Sequence, residues 1–145
     1  MRVVEADHVS PDLVASFTRL VNQLSRTSAP PTMDDLQEMV DAPGTRLLLA
    51  LDDGGHIAGS LTLVLFRIPT GVRAWIEDVV VDDGARRQGT ATALMTRAVD
   101  LATAAGARTV DLTSRPSREA ANSLYAKLGF RLRETNVYRH EVDGR

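Results

Sequence analysis

At 145 residues, with 43% hydrophobic and 25% charged side chains, the chain has the make-up of one globular domain spanning 1–145, and disordered and collagen-like classes drop out. A formal net charge of −2 argues against a nucleic-acid binder that works through a basic field, and no apolar run approaches the roughly 20 residues that cross a bilayer. The start Met1-Arg2-Val3-Val4-Glu5 lacks the apolar core of a signal peptide, and the absence of cysteine excludes disulfides and thiolate chemistry and fits a reducing cytoplasm.

Met1 to Ala6 reads as a short strand. Ser10-Pro11-Asp12 then opens a helix, with a capping serine, proline at the first helical position and an acid in the first turn. Leu13, Phe17, Leu20 and Leu24 form its apolar face. A Pro-Pro pair breaks the chain before Thr32, which opens a second helix with Asp35 in capping-box position, and Ala42-Pro43-Gly44 ends it. Leu47 to Leu51 and Ile57 to Phe66 are two strands about the turn Asp52-Asp53-Gly54-Gly55. Arg67 to Arg73, holding Pro69 and Gly71, reads as a loop, and Ala74 to Val81 as the next strand.

After a loop from Asp82 to Gln88, Ala91, Leu94, Ala98, Leu101 and Ala105 recur at helical spacing, with Gly106 as the cap. Thr109 to Thr113 reads as a strand. Ser117 is placed to cap a further helix whose face is Ala121, Leu124, Tyr125 and Leu128 and which Gly129 stops. Val137 to Val142 is expected as a last strand, with a short one around Phe130 to Leu132 before it. The order of elements implies an α/β or α+β mixed sheet, with parallel pairing, and a ligand crevice at strand ends, in the half after Ala74.

The most informative stretch runs from Trp75 to Leu94, where a β-branched strand passes through a loop into a helix start. Such a junction offers unpaired backbone N–H groups and a positive dipole end, the ingredients of a phosphate site. Arginine supplies sixteen of the seventeen basic side chains, Lys127 being the exception, and arginine suits bidentate phosphate contacts, although base composition explains the bias equally well. The loop Arg86-Arg87-Gln88-Gly89-Thr90-Ala91 has neither the Gly-Lys-Ser/Thr of a nucleotide P-loop nor the three glycines of a dinucleotide fold.

It matches instead Arg/Gln-x-x-Gly-x-Gly/Ala, and in its strand-loop-helix context it resembles the Gcn5-related N-acetyltransferase (GNAT) superfamily, whose members hold the pyrophosphate of acetyl-coenzyme A on that loop. A second stretch, Ala121-Asn122-Ser123-Leu124-Tyr125-Ala126-Lys127-Leu128-Gly129-Phe130, resembles the family's Ala-x-x-Leu-Tyr-x-x-x-Gly-Phe signature. Together the resemblances cover Trp75 to Phe130. They imply a central mixed sheet splayed between its fourth and fifth strands, with helices on both faces and the cleft between Ala74–Val81 and Thr109–Thr113. Ile76 to Val81 is also similar to the corresponding strand of glucosamine-6-phosphate N-acetyltransferases, a likeness too short to fix a substrate. One departure is Arg118, three residues before Ala121, where the family pattern often has asparagine; Asn122 and Arg118 itself are candidates to replace its coenzyme contact.

The resemblance implies an acetyl-coenzyme A dependent N-acetyltransferase in which an amine attacks the thioester directly, and the lack of cysteine excludes a cysteinyl acyl-enzyme. Arg86, Gly89 and the backbone N–H groups of Arg87, Gln88, Thr90, Ala91 and Thr92 would cradle the pyrophosphate. Val79, Val80 and Val81 would offer backbone groups to the pantetheine arm. Tyr125 would protonate the departing thiolate, and otherwise is an aromatic core residue. Glu77 and Asp78 are both candidate bases for the substrate ammonium, since a carboxylate in an apolar strand has its pKa raised toward neutrality. A regular strand points the two to opposite faces, so only one can serve, and the family resemblance favours Glu77 of the two; a structural pair with Arg73 or with backbone N–H groups is the alternative that stays open. His8, His56 and His140 lack metal-ligand spacing, and no metal is expected. The acceptor is a small-molecule or peptide amine, with no nucleic acid or membrane partner; the oligomeric state is open, a homodimer included. The reading from a different class is a non-catalytic acyl-coenzyme A sensing module on the same fold, and a third is an unrelated nucleotide-binding α/β domain.

Overall fold

In the computed structural model, which describes residues Met1–Asp143, the chain opens with strand β1 (Arg2–Glu5) and helix α1 (Pro11–Leu24). Ser10 caps α1 by accepting the Leu13 N–H, and Leu13, Phe17 and Leu20 form its buried face. Helix α2 (Met33–Asp41) starts in a full capping box: Thr32 Oγ1 accepts the Asp35 N–H at 3.1 Å while Asp35 Oδ2 accepts the Thr32 N–H at 2.9 Å. Strands β2 (Thr45–Leu51), β3 (Ile57–Ile68) and β4 (Gly71–Val81) follow, then helix α3 (Thr90–Ala104) and strand β5 (Ala107–Asp111). The sheet order is β1-β2-β3-β4-β5, antiparallel throughout except for the parallel β4–β5 pair. That single parallel pair follows from the helical crossover, because parallel neighbours cannot be joined by a tight turn.

Strand alternation divides the core between two layers. Leu47 and Leu49 pack with Leu13, Phe17 and Leu36, so α1 and α2 cover one face of the sheet. On the opposite face Ala50 pairs with Gly59, where a Cβ would lie 3.0 Å from Thr90 Cγ2 and 3.3 Å from Leu94 Cδ1. The missing side chain at Gly59 therefore lets the first turn of α3 settle directly on the sheet. Leu94, Met95, Ala98 and Ala102 continue that contact, a face shifted from the expected one by the inclusion of Met95 and Ala102. Gly106, at φ +80°, ends the helix as a left-handed residue.

The structure corrects four expectations. The strand expected over Thr109–Thr113 lies two residues earlier, as β5. Arg67 to Arg73 is not a loop: Arg67 pairs with Val72 and Ile68 with Gly71, so only Pro69 and Thr70 turn. The helix expected to be capped by Ser117 starts one residue later, as α4 (Glu119–Lys127), with Arg118 at the cap position and no side-chain cap bond. No strand forms at Phe130–Leu132 or Val137–Val142; these residues are irregular, and Leu132, Val137, Tyr138 and Val142 are exposed. Their apolar content is a propensity for strand, but a strand exists only where a neighbouring ladder accepts it.

The chain divides into two compact units, Met1–Thr113 and the segment from Ser114 onward. The first holds the whole sheet with α1, α2 and α3, and the second holds α4. Gly144 and Arg145, part of the 1–145 reading, lie outside the described residues. Among the described residues no helix is long and apolar enough to cross a membrane.

Candidate active site

The parallel pairing of β5 with β4 covers Val72 to Trp75 and stops there, at Asp111. Among the described residues β4 runs on from Ile76 to Val81 with β3 alone, and its other edge carries no ladder. The sheet is thus open beside the C-terminal half of β4, as the splayed architecture requires. Backbone groups on such an edge are free to bond an extended ligand.

β4 also changes register in this half. Thr62 pairs with Glu77 but Ser60 pairs with Val80, so three steps of β4 oppose two of β3. The extra residue is accommodated by Asp78, which takes a left-handed φ of +50° that is uncommon outside glycine. The bulge removes the simple alternation expected for Glu77 and Asp78, and both are exposed. Glu77 shares its face with Trp75, and lies across Thr62 from Leu47, on the side of the sheet covered by α1 and α2. Its carboxylate accepts the Trp75 indole N–H at 2.7 Å, and among the described residues no arginine or backbone N–H bonds it. Arg73, two residues earlier on that face, has its Nε buried with no partner among the described residues and its Nη2 3.5 Å from Thr70 Oγ1. Desolvation, helped by the adjacent Glu77 charge, raises the pKa of the Asp78 carboxyl above the ordinary aspartate value.

Beyond β4, Asp83–Ala85 forms one 3₁₀ turn, and the chain reaches α3 through two left-handed residues, Arg87 at φ +66° and Gly89 at φ +77°. Gly89 is the N-cap of α3, and no side chain caps the helix and no acid lies in its first turn. The first intrahelical bond is Ala93 N–H to Gly89 O at 3.0 Å, which leaves the N–H groups of Thr90, Ala91 and Thr92 without helical acceptors. Beside Gly89 an added Cβ would meet nothing within 4 Å, so the space over the helix end is open. An uncapped helix start, approached through a turn that aims successive N–H groups outward, is suited to an anion. Arg87 and Gln88 are exposed, whereas Arg86 is held by Asp83 at 2.9 Å in an exposed ion pair. Thr90 is buried, its hydroxyl directed at Ala85 O at 3.4 Å, so only its backbone is available to a ligand.

A model of the acetyltransferase (GNAT) family matches residues 13–130. The chain belongs to that family. No curated protein matches it. Among solved structures, the Trypanosoma brucei acetyltransferase is similar at a TM-score of 0.77 with 24% identity, over 97% of this chain and 99% of that one. An aminoglycoside acetyltransferase from an uncultured soil metagenomic sample, solved with sisomicin, is similar at 0.83 with 19% identity, over 97% and 95% of the two chains. A second aminoglycoside acetyltransferase of the same kind of origin is similar at 0.76 with 26% identity, over 99% and 100%.

The GNAT signature around Tyr125 has a structural content of its own in the second unit. The Phe130 N–H bonds Tyr125 O at 2.9 Å and the Gly129 N–H bonds Ala126 O at 3.2 Å, with Gly129 at φ +94°. This is a Schellman ending, and the Tyr125 and Phe130 rings, 6.2 Å apart, supply the apolar contact that accompanies it. Tyr125 is half-buried and its hydroxyl has no hydrogen-bond partner among the described residues. Asn122 donates to Arg115 O at 3.0 Å and so holds the turn ahead of α4.

Three further residues of the first unit were not among the sequence candidates. Arg19 Nε donates to Asp82 Oδ2 at 2.9 Å and Arg19 Nη2 to Ile57 O at 2.9 Å. Gln23 donates to Asp82 Oδ1 at 3.1 Å and accepts the Asp83 N–H at 2.9 Å. Their one sequence signal is the four-residue spacing that puts Arg19 and Gln23 on the same side of α1.

Proposed function

We propose that the chain is an acetyl-coenzyme A dependent N-acetyltransferase acting by direct attack of an acceptor amine on the thioester. The observation that carries this reading is the conjunction of the open edge Ile76–Val81 with the uncapped start of α3 at Gly89, a short stretch of chain beyond Val81. A ligand with an extended polar arm and a diphosphate meets, in that order, unpaired strand groups and unpaired helix N–H groups. Val79, Val80 and Val81 bond the arm, and Arg87, Gln88, Gly89, Thr90, Ala91 and Thr92 cradle the diphosphate, with Arg86 at its margin. Acetyl-coenzyme A, as co-substrate, would supply the activated acetyl group, with the coenzyme A thiolate as leaving group.

In this reading Glu77 takes a proton from the acceptor ammonium, held by the Trp75 indole. The freed amine nitrogen bonds the acetyl carbon, the carbon–sulfur bond breaks, Tyr125 gives its phenol proton to the sulfur, and the surplus proton on the new amide nitrogen is lost to solvent, from which the Tyr125 phenol is restored. The Tyr125 and Asn122 assignments rest on the signature resemblance. An amine acceptor agrees with the aminoglycoside acetyltransferases among the similar structures, which makes aminoglycosides one arm of the substrate panel.

Calorimetry with acetyl-coenzyme A, followed by thiol release with aminoglycosides, peptides and amino sugars, tests the reading. Saturable binding that weakens in Gly89→Val, and thiol release with at least one amine, are expected. Absence of binding would overturn it, and binding without turnover across the panel would leave a sensor in place of an enzyme.

A further inference from the structure

We infer, resting on the coenzyme reading above, that Arg19 and Gln23 of α1 are positioning residues for the coenzyme loop: together they clamp Asp82 and Asp83 and so fix the path of the chain into the start of α3. Asp82 is the hinge point between the end of β4 and the cradle. Its backbone N–H is bonded to Ala58 O at 2.8 Å, and its O accepts the Ala85 N–H at 2.8 Å to close the 3₁₀ turn. Its two carboxylate oxygens are taken by two different side chains of α1, Oδ2 by Arg19 and Oδ1 by Gln23. Gln23 also accepts the Asp83 N–H, so one amide group binds two successive residues of the loop.

From there the connection is continuous. Ala85, the last residue of the 3₁₀ turn, receives the buried Thr90 hydroxyl, and Thr90 is the first residue of α3. The clamp thus reaches from α1, on one face of the sheet, through the loop to the helix end on the other.

Electrostatics gives the clamp a second effect. Two aspartates stand in the chain just before a diphosphate cradle, where unpaired negative charge would oppose the ligand. Each is matched by an arginine: Asp82 by Arg19 at 2.9 Å and Asp83 by Arg86 at 2.9 Å. The Asp83 pair is exposed on both sides and local, so it is weak and easily exchanged. The Asp82 pair is longer-range and less exposed on the carboxylate, at 26%, and is reinforced by Gln23 and by the second arginine bond to Ile57 O. It is the one with geometry enough to set a backbone position.

The test measures coenzyme A binding by calorimetry and melting temperature on the parent, Arg19→Met, Gln23→Leu, the double variant Arg19→Met/Asp82→Asn, and Leu36→Ala as a core control away from the loop. Arg19→Met and Gln23→Leu are expected to weaken coenzyme A by about tenfold, the loss of one charge-assisted contact. The double variant is expected to stay weak, because it restores neutrality without restoring the path. Leu36→Ala is expected to melt lower with coenzyme affinity unchanged. Amide exchange over residues 82–92 of the unliganded protein is expected to speed up in Arg19→Met and not in Leu36→Ala. If the folded single variants bind like the parent, the inference is overturned while the coenzyme reading stands. If the double variant recovers full affinity, charge alone acted and the positioning role is overturned. If the parent itself binds no coenzyme A, the functional reading falls and this inference with it.

Discussion

The Trp75 indole N–H points along β4 to the Glu77 carboxylate two residues on, at 2.7 Å, and so fixes one oxygen of an otherwise exposed acid. A single donor on the same strand face leaves the other oxygen available, which is what a proton acceptor needs. Glu77→Gln is expected to lower kcat by about 10²–10⁴ with coenzyme affinity kept, as loss of a general base does. Trp75→Phe, which keeps the ring and deletes the donor, is expected to lower kcat by less and also to leave coenzyme affinity unchanged. Steady-state kinetics beside calorimetry checks both.

Asp78 and Asp82, four residues apart, are shifted in opposite directions, and stability should follow pH accordingly. Desolvation raises Asp78, so its ionisation opposes folding: its contribution is whole below the ordinary aspartate range and is lost as pH rises through its raised value. Asp78→Asn should therefore be the more stable protein at neutral pH, with the gap closing in acid. The hydrogen bonds from Gln23 and Arg19 lower Asp82, so its contribution is present at neutral pH and lost as pH falls through the aspartate range. Asp82→Asn should destabilise at pH 7 and converge on the parent in acid. Urea unfolding between pH 3 and about 7.5 reads both signs.

Gly59 and Gly89 distinguish two reasons for glycine. A Cβ at Gly59 would lie 2.9 Å from Val80 O and 3.0 Å from Thr90 Cγ2, so Gly59→Ala must push α3 off the sheet and should cost about 1–3 kcal/mol. At Gly89 space is open and only the left-handed φ of +77° resists, so Gly89→Ala should cost about 1–2 kcal/mol through the backbone. Chemical denaturation separates stability from the coenzyme affinity measured on the same variants.

Leu36 of α2 is fully buried in the core cluster with Leu13, Phe17, Leu47 and Leu49, away from the loop that follows β4. Leu36→Ala is expected to lose about 2–5 kcal/mol by the same denaturation measurement.

Local chemistry was readable in the sequence. The Thr32–Asp35 box, the Ser10-Pro11 start, the Gly106 ending and the position of Gly89 before α3 each depend on residues within a turn of one another, and each is found in the structure. The misses depend on partners far away in the chain. Pro69 and Gly71 are turn residues, yet the length of the turn was set by Arg67 finding Val72 across the hairpin. The register change at Asp78 is visible only against Ser60 and Thr62. Arg19 meets Asp82 over 63 residues of separation, and no spacing rule anticipates that contact. The segment Val137–Val142 has strand-forming residues and no ladder, so composition there outran pairing. Of the candidate site, the loop and uncapped helix start proposed as the cradle were legible because they are local in the chain, whereas the indole bond to Glu77 and the contacts on Asp82 are side-chain geometry.

The open half of β4 has a further consequence, for the life of the protein before any ligand arrives. Ile76 to Val81 combines four β-branched apolar residues with one edge that no strand pairs among the described residues, the composition and geometry that let strands of separate molecules stack. Glu77 and Asp78, side by side at the start of that run, place two negative charges where a second copy of the same edge would have to bring two more. They would act as gatekeepers against self-association, so a neutral double substitution there is expected to lower solubility in addition to the loss of kcat expected from Glu77.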